Sequence, residues 1–226
     1  MNQSYDKLIP VRMLKHDILN RIEACAETAD GEIVAIRRDT RTAVFGLGWF
    51  SRAVARREIR ALNVLKGIDG IPQVLDWDGK VLYRTWIEGE PMYRAQPRNA
   101  AFYRQALHLI REHHRRGVTH NDTSKEPNWL VRPDGTPGLL DYQMASVFRR
   151  RTPFMRMLAW DDFRHLLKHK RTYCSEHLTP IEQRMLARKA WLSRVWRVTG
   201  KKVYRFVTRG ILGWADREGA GERYTK

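Results

Sequence analysis

The sequence predicts an α+β protein with a small β-rich N-terminal part and a mostly helical C-terminal part. Short β-rich runs surround one helical segment in the first part, and apolar residues in helical spacing dominate the second. A hairpin of two four-residue apolar runs lies between helical segments. We expect a single domain over 1–226, with about 1–90 and about 91–218 as its two parts and a disordered tail at 219–226.

The strands and helix of the first part follow from local signals. "GEIVAIRRD" from Gly31 reads as a strand, and "SRAVARREIRALNVLKG" reads as a helix with Ser51 as N-cap and Gly67 at its end. "GIPQVLDWDGKVLYRTWI" predicts two strands about the turn Asp78-Gly79. The apolar spacing over 17–26 favours a further short helix.

The second part begins with a helix over about 98–116. "NWLV" and "GLLD", separated by the turn sequence "RPDGTP", form the hairpin. "WDDFRHLLKH" predicts another helix, and "TPIE" supplies a capping box from Thr179 to Glu182 with Pro180 at the first helical position. A final basic helix is expected from Lys201.

Composition limits the compartment and the partners. No apolar run approaches the length needed to cross a bilayer, and Cys25 and Cys174 form no disulfide or metal pattern. Both observations favour a cytoplasmic protein. The net charge of +17 attracts nucleic acid, anionic lipid or acidic substrates.

The basic excess lies mainly in the C-terminal third, where 147–226 hold 20 Lys and Arg against 7 Asp and Glu. The final helix therefore either packs on the domain or lies on the inner membrane surface as a peripheral contact. Nothing resembles a nucleic-acid-binding motif, so nucleic acid is not expected as a partner. The oligomeric state stays open.

Four polar residues surround the hairpin: His120, Asp122, Asn128 and Asp141. Each alone would be an ordinary loop residue. Together they offer the groups that transfer of a γ-phosphoryl group needs, because Mg²⁺ prefers carboxylate and carboxamide oxygens and a separate carboxylate must orient the acceptor hydroxyl.

"HNDTSKEPN" resembles the catalytic loop of the protein-kinase-like superfamily, with His120, Asp122 and Asn128 at the positions of the H-R-D and Asn elements. "LLDYQ" resembles the D-F-G segment, with Asp141 as the metal-binding aspartate. His120 is expected to support the loop by hydrogen bonds rather than to react.

Upstream, "VAIR" resembles the V-A-I-K of the third strand and puts Arg37 at the usual lysine, with Arg38 as a competing cation on the opposite face of the strand. "ARREIRAL" resembles helix αC, with Glu58 as the partner of that cation. The short N-terminal part and the "HND" sequence are more similar to the atypical bacterial RIO-type and lipopolysaccharide-core kinases than to typical eukaryotic ones.

The resemblance implies a bilobal kinase-like fold that uses ATP and Mg²⁺. It implies that Asp122 orients and deprotonates a hydroxyl acceptor, that Lys125 approaches the γ-phosphate, and that Asn128 and Asp141 bind the metal ions. Arg37, held by Glu58, would then contact the α- and β-phosphates.

Two further positions follow from the same resemblance. The backbone from about Arg84 to Glu88 would form the hinge that contacts adenine. Asp161 or Asp162 corresponds to the buried aspartate that anchors kinase catalytic loops, although an ordinary charge in the first turn of a helix explains either residue equally well.

The sequence also departs from the kinase pattern. Asp122 and Asn128 are six residues apart, one more than in the common kinase loop, so the segment between them must bulge. Asn121 replaces the arginine that often couples the loop to activation by phosphorylation. No glycine-rich loop precedes residue 31, and "GLGWFS" from Gly46 follows the strand it should precede.

Three function classes remain open. The first is a kinase acting on protein serine or threonine, and the second is a kinase acting on an envelope sugar at the inner membrane. The third is a pseudokinase that binds partners without phosphoryl transfer.

Overall fold

The computed structural model describes residues 5–187. The strands are β1 (Ile9–His16), β2 (Arg21–Ala26), β3 (Ala35–Asp39), β4 (Val74–Trp77), β5 (Val81–Thr85), β6 (Glu90–Pro91), β7 (Val118–Thr119), β8 (Trp129–Val131), β9 (Pro137–Leu139) and β10 (Ser146–Val147). The helices are α1 (Gly48–Val64), α2 (Met92–Ala95), α3 (Ala100–Arg115), α4 (Pro153–Tyr173) and α5 (Pro180–Ala187). The predicted final helix and the tail at 219–226 lie outside the described residues.

An antiparallel five-stranded sheet in the order β1-β2-β3-β5-β4 forms the N-terminal part. The helix predicted over 17–26 is wrong, because residues 21–26 form the inner strand β2. Ile22–Ala26 are all buried, so both faces of this strand are covered, and polar and apolar residues alternate only from Arg21 to Ala24. Its apolar residues therefore matched helical spacing by chance.

Helix α1 connects β3 to β4 and differs in detail from its prediction. It begins at Gly48, so the predicted N-cap Ser51 is wrong; Ser51 is fully buried inside the first turn. Leu47 occupies the N-cap position without a side-chain hydrogen bond. The helix ends at Val64, shortly before the predicted Gly67.

The C-terminal part confirms several local predictions. β8 and β9 form the expected hairpin, and α3 starts after the N-cap Asn99. The capping box also forms, since the Thr179 amide donates to Glu182 Oε2 at 2.8 Å and the Glu182 amide donates to Thr179 Oγ1 at 3.3 Å. α4 is longer than "WDDFRHLLKH" suggested and begins at Pro153.

Two apolar clusters hold the fold together. The larger joins α1, α3, α4 and the β8–β9 hairpin, and includes the fully buried Trp129. The smaller lies in the sheet and consists of Ile22, Ala24 and Ile36, with other apolar side chains against it. The chain is thus an α+β structure with a sheet and a helical part, as predicted. Within 5–187, no helix has the length and apolar character needed to span a bilayer.

Candidate active site

Asp162, in the middle of α4, anchors the loop that follows β7. Its carboxylate accepts the His120 amide at 2.9 Å and the Asn121 amide at 2.8 Å, and it is 1% exposed. Burial alone would raise the pKa of Asp162, but hydrogen bonds from His114 at 3.1 Å and from the His120 amide hold that pKa below its ordinary value. Of the two aspartates left open by the sequence, Asp162 is the anchor. The alternative interpretation, an ordinary charge in the first turn of a helix, is wrong, because α4 begins nine residues before Asp162.

His120 joins this loop to the strand on the other side of the hairpin. Its Nδ1 accepts the Asp122 amide at 3.3 Å, so Nε2 carries the proton and donates to the Leu140 carbonyl at 2.9 Å. The ring also meets the Tyr142 ring edge to face, with centroids 4.7 Å apart. The expected supporting role of His120 agrees with these contacts.

Asp122, Lys125 and Asn128 contact one another directly. Asn128 Nδ2 donates to the Asp122 carbonyl at 3.0 Å and to Asp122 Oδ2 at 3.2 Å, and Lys125 Nζ lies 3.0 Å from the same Oδ2. Because Nδ2 faces Asp122, the Oδ1 of Asn128 faces away from it. The extra residue of the loop is accommodated in a 3₁₀ turn over Glu126–Asn128.

The bulged loop is fixed to the helical part. The Thr123 carbonyl accepts from Trp129 Nε1 at 3.1 Å and from His169 Nε2 at 3.0 Å. The buried Glu126 carboxylate accepts from the Tyr173 hydroxyl at 2.7 Å. These bonds hold the loop on α4, so that the position of Asp122 is set by the fold rather than by the loop alone.

Asp141 combines a strained backbone with an unpaired oxygen. Its φ of +65° is left-handed, a conformation that costs energy for a residue with a side chain. The preceding Leu140 amide donates to the Asn128 carbonyl at 2.8 Å, which ties Asp141 to the loop. Asp141 Oδ1 is buried and has no hydrogen-bond partner among the described residues. A buried carboxylate oxygen without a donor is expensive, and a cation at this position would offset that cost.

The predicted Arg37–Glu58 pair is wrong, and Arg38 takes that place. Arg38 Nη1 donates to Glu58 Oε2 at 2.6 Å, and the two side chains are 0% and 1% exposed. Arg37 points to the opposite face of β3, where it binds Glu23 at 2.7 Å and Asp39 at 3.0 Å. Adjacent strand residues face opposite sides, so only one of the two arginines can meet α1.

Arg84 on β5 is a second cation at Glu58, and the sequence did not reveal it. Its Nη1 lies 3.1 Å from Glu58 Oε1, an ion pair that lacks hydrogen-bond geometry. Arg84 pairs with Ile36 across the sheet, which puts it on the same face as Arg38. Nε of both arginines and Nη2 of Arg38 are buried without a hydrogen-bond partner in the described part of the chain. Two guanidinium groups thus share one carboxylate, which leaves a buried excess of positive charge.

Helix α1 also holds the segment that follows Asp141. Arg57 donates to the Ala145 carbonyl at 2.7 Å and to the Met144 carbonyl at 2.8 Å. Asn121 Nδ2 reaches the same Met144 carbonyl at 2.8 Å. Asn121 therefore fixes this segment through neutral hydrogen bonds.

Beside the cations lies the smaller apolar cluster, on the same face of the sheet as Arg38. Trp86, directly after β5 in the predicted hinge, packs against this cluster, and the Arg12 guanidinium lies 5.5 Å from the centroid of its ring. The β1–β2 connection contains Asp17, whose carboxylate accepts the Leu19 amide at 2.9 Å.

Most predicted site residues are brought together. Asp122, Lys125 and Asn128 are in contact, and Asp141 is tied to them through Leu140. Arg37 is the exception, because it lies on the face of the sheet opposite to Glu58. The chain matches none of the models of known protein families, and no curated protein is significantly similar to it.

Proposed function

We propose that this protein is a bilobal, kinase-like phosphotransferase that moves the γ-phosphoryl group of ATP to a hydroxyl acceptor with the help of Mg²⁺. The five-stranded sheet would form the small lobe, and the helical part would form the large one. The observation that carries the proposal is the buried Oδ1 of Asp141, which has no hydrogen-bond partner within residues 5–187 and follows a strand tied to the loop of Asp122 and Asn128.

The donor set fits a magnesium ion. Asp141 offers a carboxylate oxygen without a hydrogen-bond donor among the described residues, and Asn128 offers a carboxamide oxygen that faces away from Asp122. Hard oxygen atoms of these two kinds are the ligands that Mg²⁺ takes in phosphoryl-transfer sites. Bound Mg²⁺ would neutralise the charge of the phosphate oxygens.

The protein side chains would then divide the work. Asp122 orients the acceptor hydroxyl and takes its proton, while Asn128 and Lys125 hold the Asp122 carboxylate in place. Lys125 is 57% exposed on this loop and supplies positive charge toward the γ-phosphate. Arg38 and Arg84, rather than Arg37, contact the α- and β-phosphates with the N–H groups that Glu58 leaves unused.

Site variants test this assignment. Asp141→Ala is expected to abolish Mg-ATP turnover, and Asp122→Ala is expected to lower it at least about 100-fold while sparing nucleotide binding. Asp134→Asn, an exposed aspartate in the β8–β9 turn, is the matched control and should keep wild-type turnover. Mg-ATP at about 100 times its Kd should stabilise wild type and Asp122→Ala by about 2.7 kcal/mol. Unchanged turnover in both site variants would refute the mechanism.

The acceptor is proposed to be a serine or threonine of a protein, and an envelope sugar is the alternative. Labelled ATP added to a cell lysate with the purified chain distinguishes them. Label in the protein fraction supports the first, and label extracted with lipid supports the second.

A pseudokinase is the second candidate function, and two observations favour it. Trp86 packs against the apolar cluster that adenine would have to reach, and Asp17 puts a carboxylate in the turn where kinases use glycines to approach phosphate. Stabilisation by Mg-ATP without transfer to any acceptor in the lysate would support this candidate over the enzyme.

A further inference from the structure

The connection between β3 and α1 exposes an unusual group of apolar side chains. Phe45 is 102% exposed and Trp49 is 67% exposed, with Val44 and Phe50 also exposed. Single exposed apolar residues are common, but four within seven residues form a patch that requires a partner or an apolar medium. We call Val44–Phe50 the aromatic tip.

The aromatic tip protrudes instead of lining a groove. A Cβ atom added at Gly46 would meet nothing within 4 Å, so the space around the turn is open. The Val44 amide donates to the Ile18 carbonyl at 2.9 Å, which fixes the base of the tip to the β1–β2 connection. Trp49 and Phe50 meet edge to face, with centroids 5.8 Å apart. A supported apolar protrusion suits insertion into a fluid surface better than docking into a shaped pocket.

The outward face of α1 carries only positive charge. At 3.6 residues per turn, Trp49, Arg52, Arg56 and Arg60 fall within about 80° of one another. Arg56 and Arg60 are exposed, and Arg52 is half-buried. The one acidic residue of the helix, Glu58, is buried on the opposite side. The arginine row therefore continues the aromatic tip along α1 without a compensating carboxylate from the helix itself.

We propose that the aromatic tip and the arginine row form a docking surface for a membrane that contains anionic lipids. Trp and Phe side chains prefer the boundary between headgroups and acyl chains, and neighbouring arginines gain from the negative potential of the lipid surface. The charge complementarity selects an anionic surface, and the protruding apolar tip selects a bilayer. This surface is formed by residues 44–60, which lie outside the basic C-terminal third of the sequence, and it needs no catalytic activity.

Vesicle co-sedimentation of the full chain tests the proposal. Wild type should bind vesicles of phosphatidylcholine with phosphatidylglycerol, bind neutral phosphatidylcholine vesicles at least tenfold more weakly, and release at high salt. Phe45→Ser/Trp49→Ser should bind anionic vesicles at least tenfold more weakly. Arg52→Gln/Arg56→Gln/Arg60→Gln should lose at least tenfold as well, since each arginine near the surface contributes about fivefold.

Matched control variants show whether a loss of vesicle binding comes from this surface or from a general change in charge or hydrophobicity. Arg94→Gln/Arg98→Gln/Arg104→Gln removes three exposed charges elsewhere, and Ile181→Ser removes an exposed apolar side chain of α5. Both should bind like wild type, and circular dichroism should show all variants folded. Wild-type affinity in the tip variant, or equal losses in the test and control triples, would overturn the proposal. Failure of wild type to bind anionic vesicles would overturn it as well and point to an acidic protein partner.

Discussion

Replacing Arg38 or Glu58 with Met should destabilise the protein strongly and unequally. Removing one member of a buried ion pair costs about 3–5 kcal/mol, because the other charge stays buried. Arg38→Met leaves Glu58 with Arg84 at 3.1 Å, so its cost should lie near 3 kcal/mol at the lower end of that range. Glu58→Met leaves two guanidinium groups without a counter-charge, so its cost should approach 5 kcal/mol.

Arg37→Met is the matched control on the opposite face of the same strand. Its partner Glu23 keeps Arg21 at 3.0 Å, and its partner Asp39 keeps Arg41 at 2.7 Å. No carboxylate is left alone, so we expect a loss of only about 1 kcal/mol.

Urea unfolding followed by circular dichroism measures these free energies. For a domain of this size, each kcal/mol corresponds to about 2–4 °C in Tm, so Arg38→Met should lower Tm by about 6–12 °C. The double variant Arg38→Met/Glu58→Met should lose at least about 2 kcal/mol less than the sum of the single variants. Equal losses of stability for Arg37→Met and Arg38→Met would refute the assignment of the buried pair. A double variant whose loss equals the sum of the two single losses would refute it as well.

Three other predictions concern the framework of the site. Asp162→Asn leaves one loop amide without an acceptor and should cost about 1–3 kcal/mol in urea unfolding. Asp161→Asn should cost nothing, because burial raises the pKa of Asp161 and disfavours its charge. Burial lowers the pKa of His113 to about 3, so the unfolded chain takes up a proton at a higher pH than the folded chain does. The stability therefore decreases as the pH drops below about 6.5. His113 alone should account for about 2 kcal/mol of the loss between pH 7 and pH 5, and His113→Gln should remove that part of the slope. Gly117→Ala places a Cβ against the Phe148 carbonyl oxygen at a φ of +80° and should cost more than 2 kcal/mol by thermal unfolding. Gly67→Ala, at +83° in open space, should cost about 1 kcal/mol. A flat pH profile in wild type, or equal losses within either pair of variants, would contradict these assignments.

Local signals explain which elements the sequence predicted. The turn "RPDGTP" and the capping box at Thr179 act between neighbouring residues, so their structures follow from the sequence directly. β2 could not be predicted in this way, because its burial on both faces comes from strands and side chains far along the chain. The spacing of apolar residues reports only which face of an element contacts solvent.

The choice between Arg37 and Arg38 shows a limit of motif spacing. Both residues follow "VAI", and a motif aligned one residue out of register selects the wrong face of the strand. Apolar spacing along the strand gives no help, because Ala35 and Ile36 are both buried and lie two positions before Arg37 and Arg38, respectively. Arg84 carried no local signal either, since its meeting with Glu58 depends on how β5 pairs with β3.

Two kinds of buried atoms without hydrogen-bond partners occur at this site. Arg38 and Arg84 have buried donors without acceptors, and Asp141 has a buried acceptor without a donor, within the part of the chain that the structure describes. Helix α1 links the two sets, because Glu58 binds the arginines and Arg57 holds the segment after Asp141. A lone anion would satisfy only the arginines, and a lone cation would satisfy only the carboxylate. The proposed magnesium–nucleotide complex would supply a metal ion for Asp141 and phosphate oxygens for the arginines, whereas either component alone would supply only one of them.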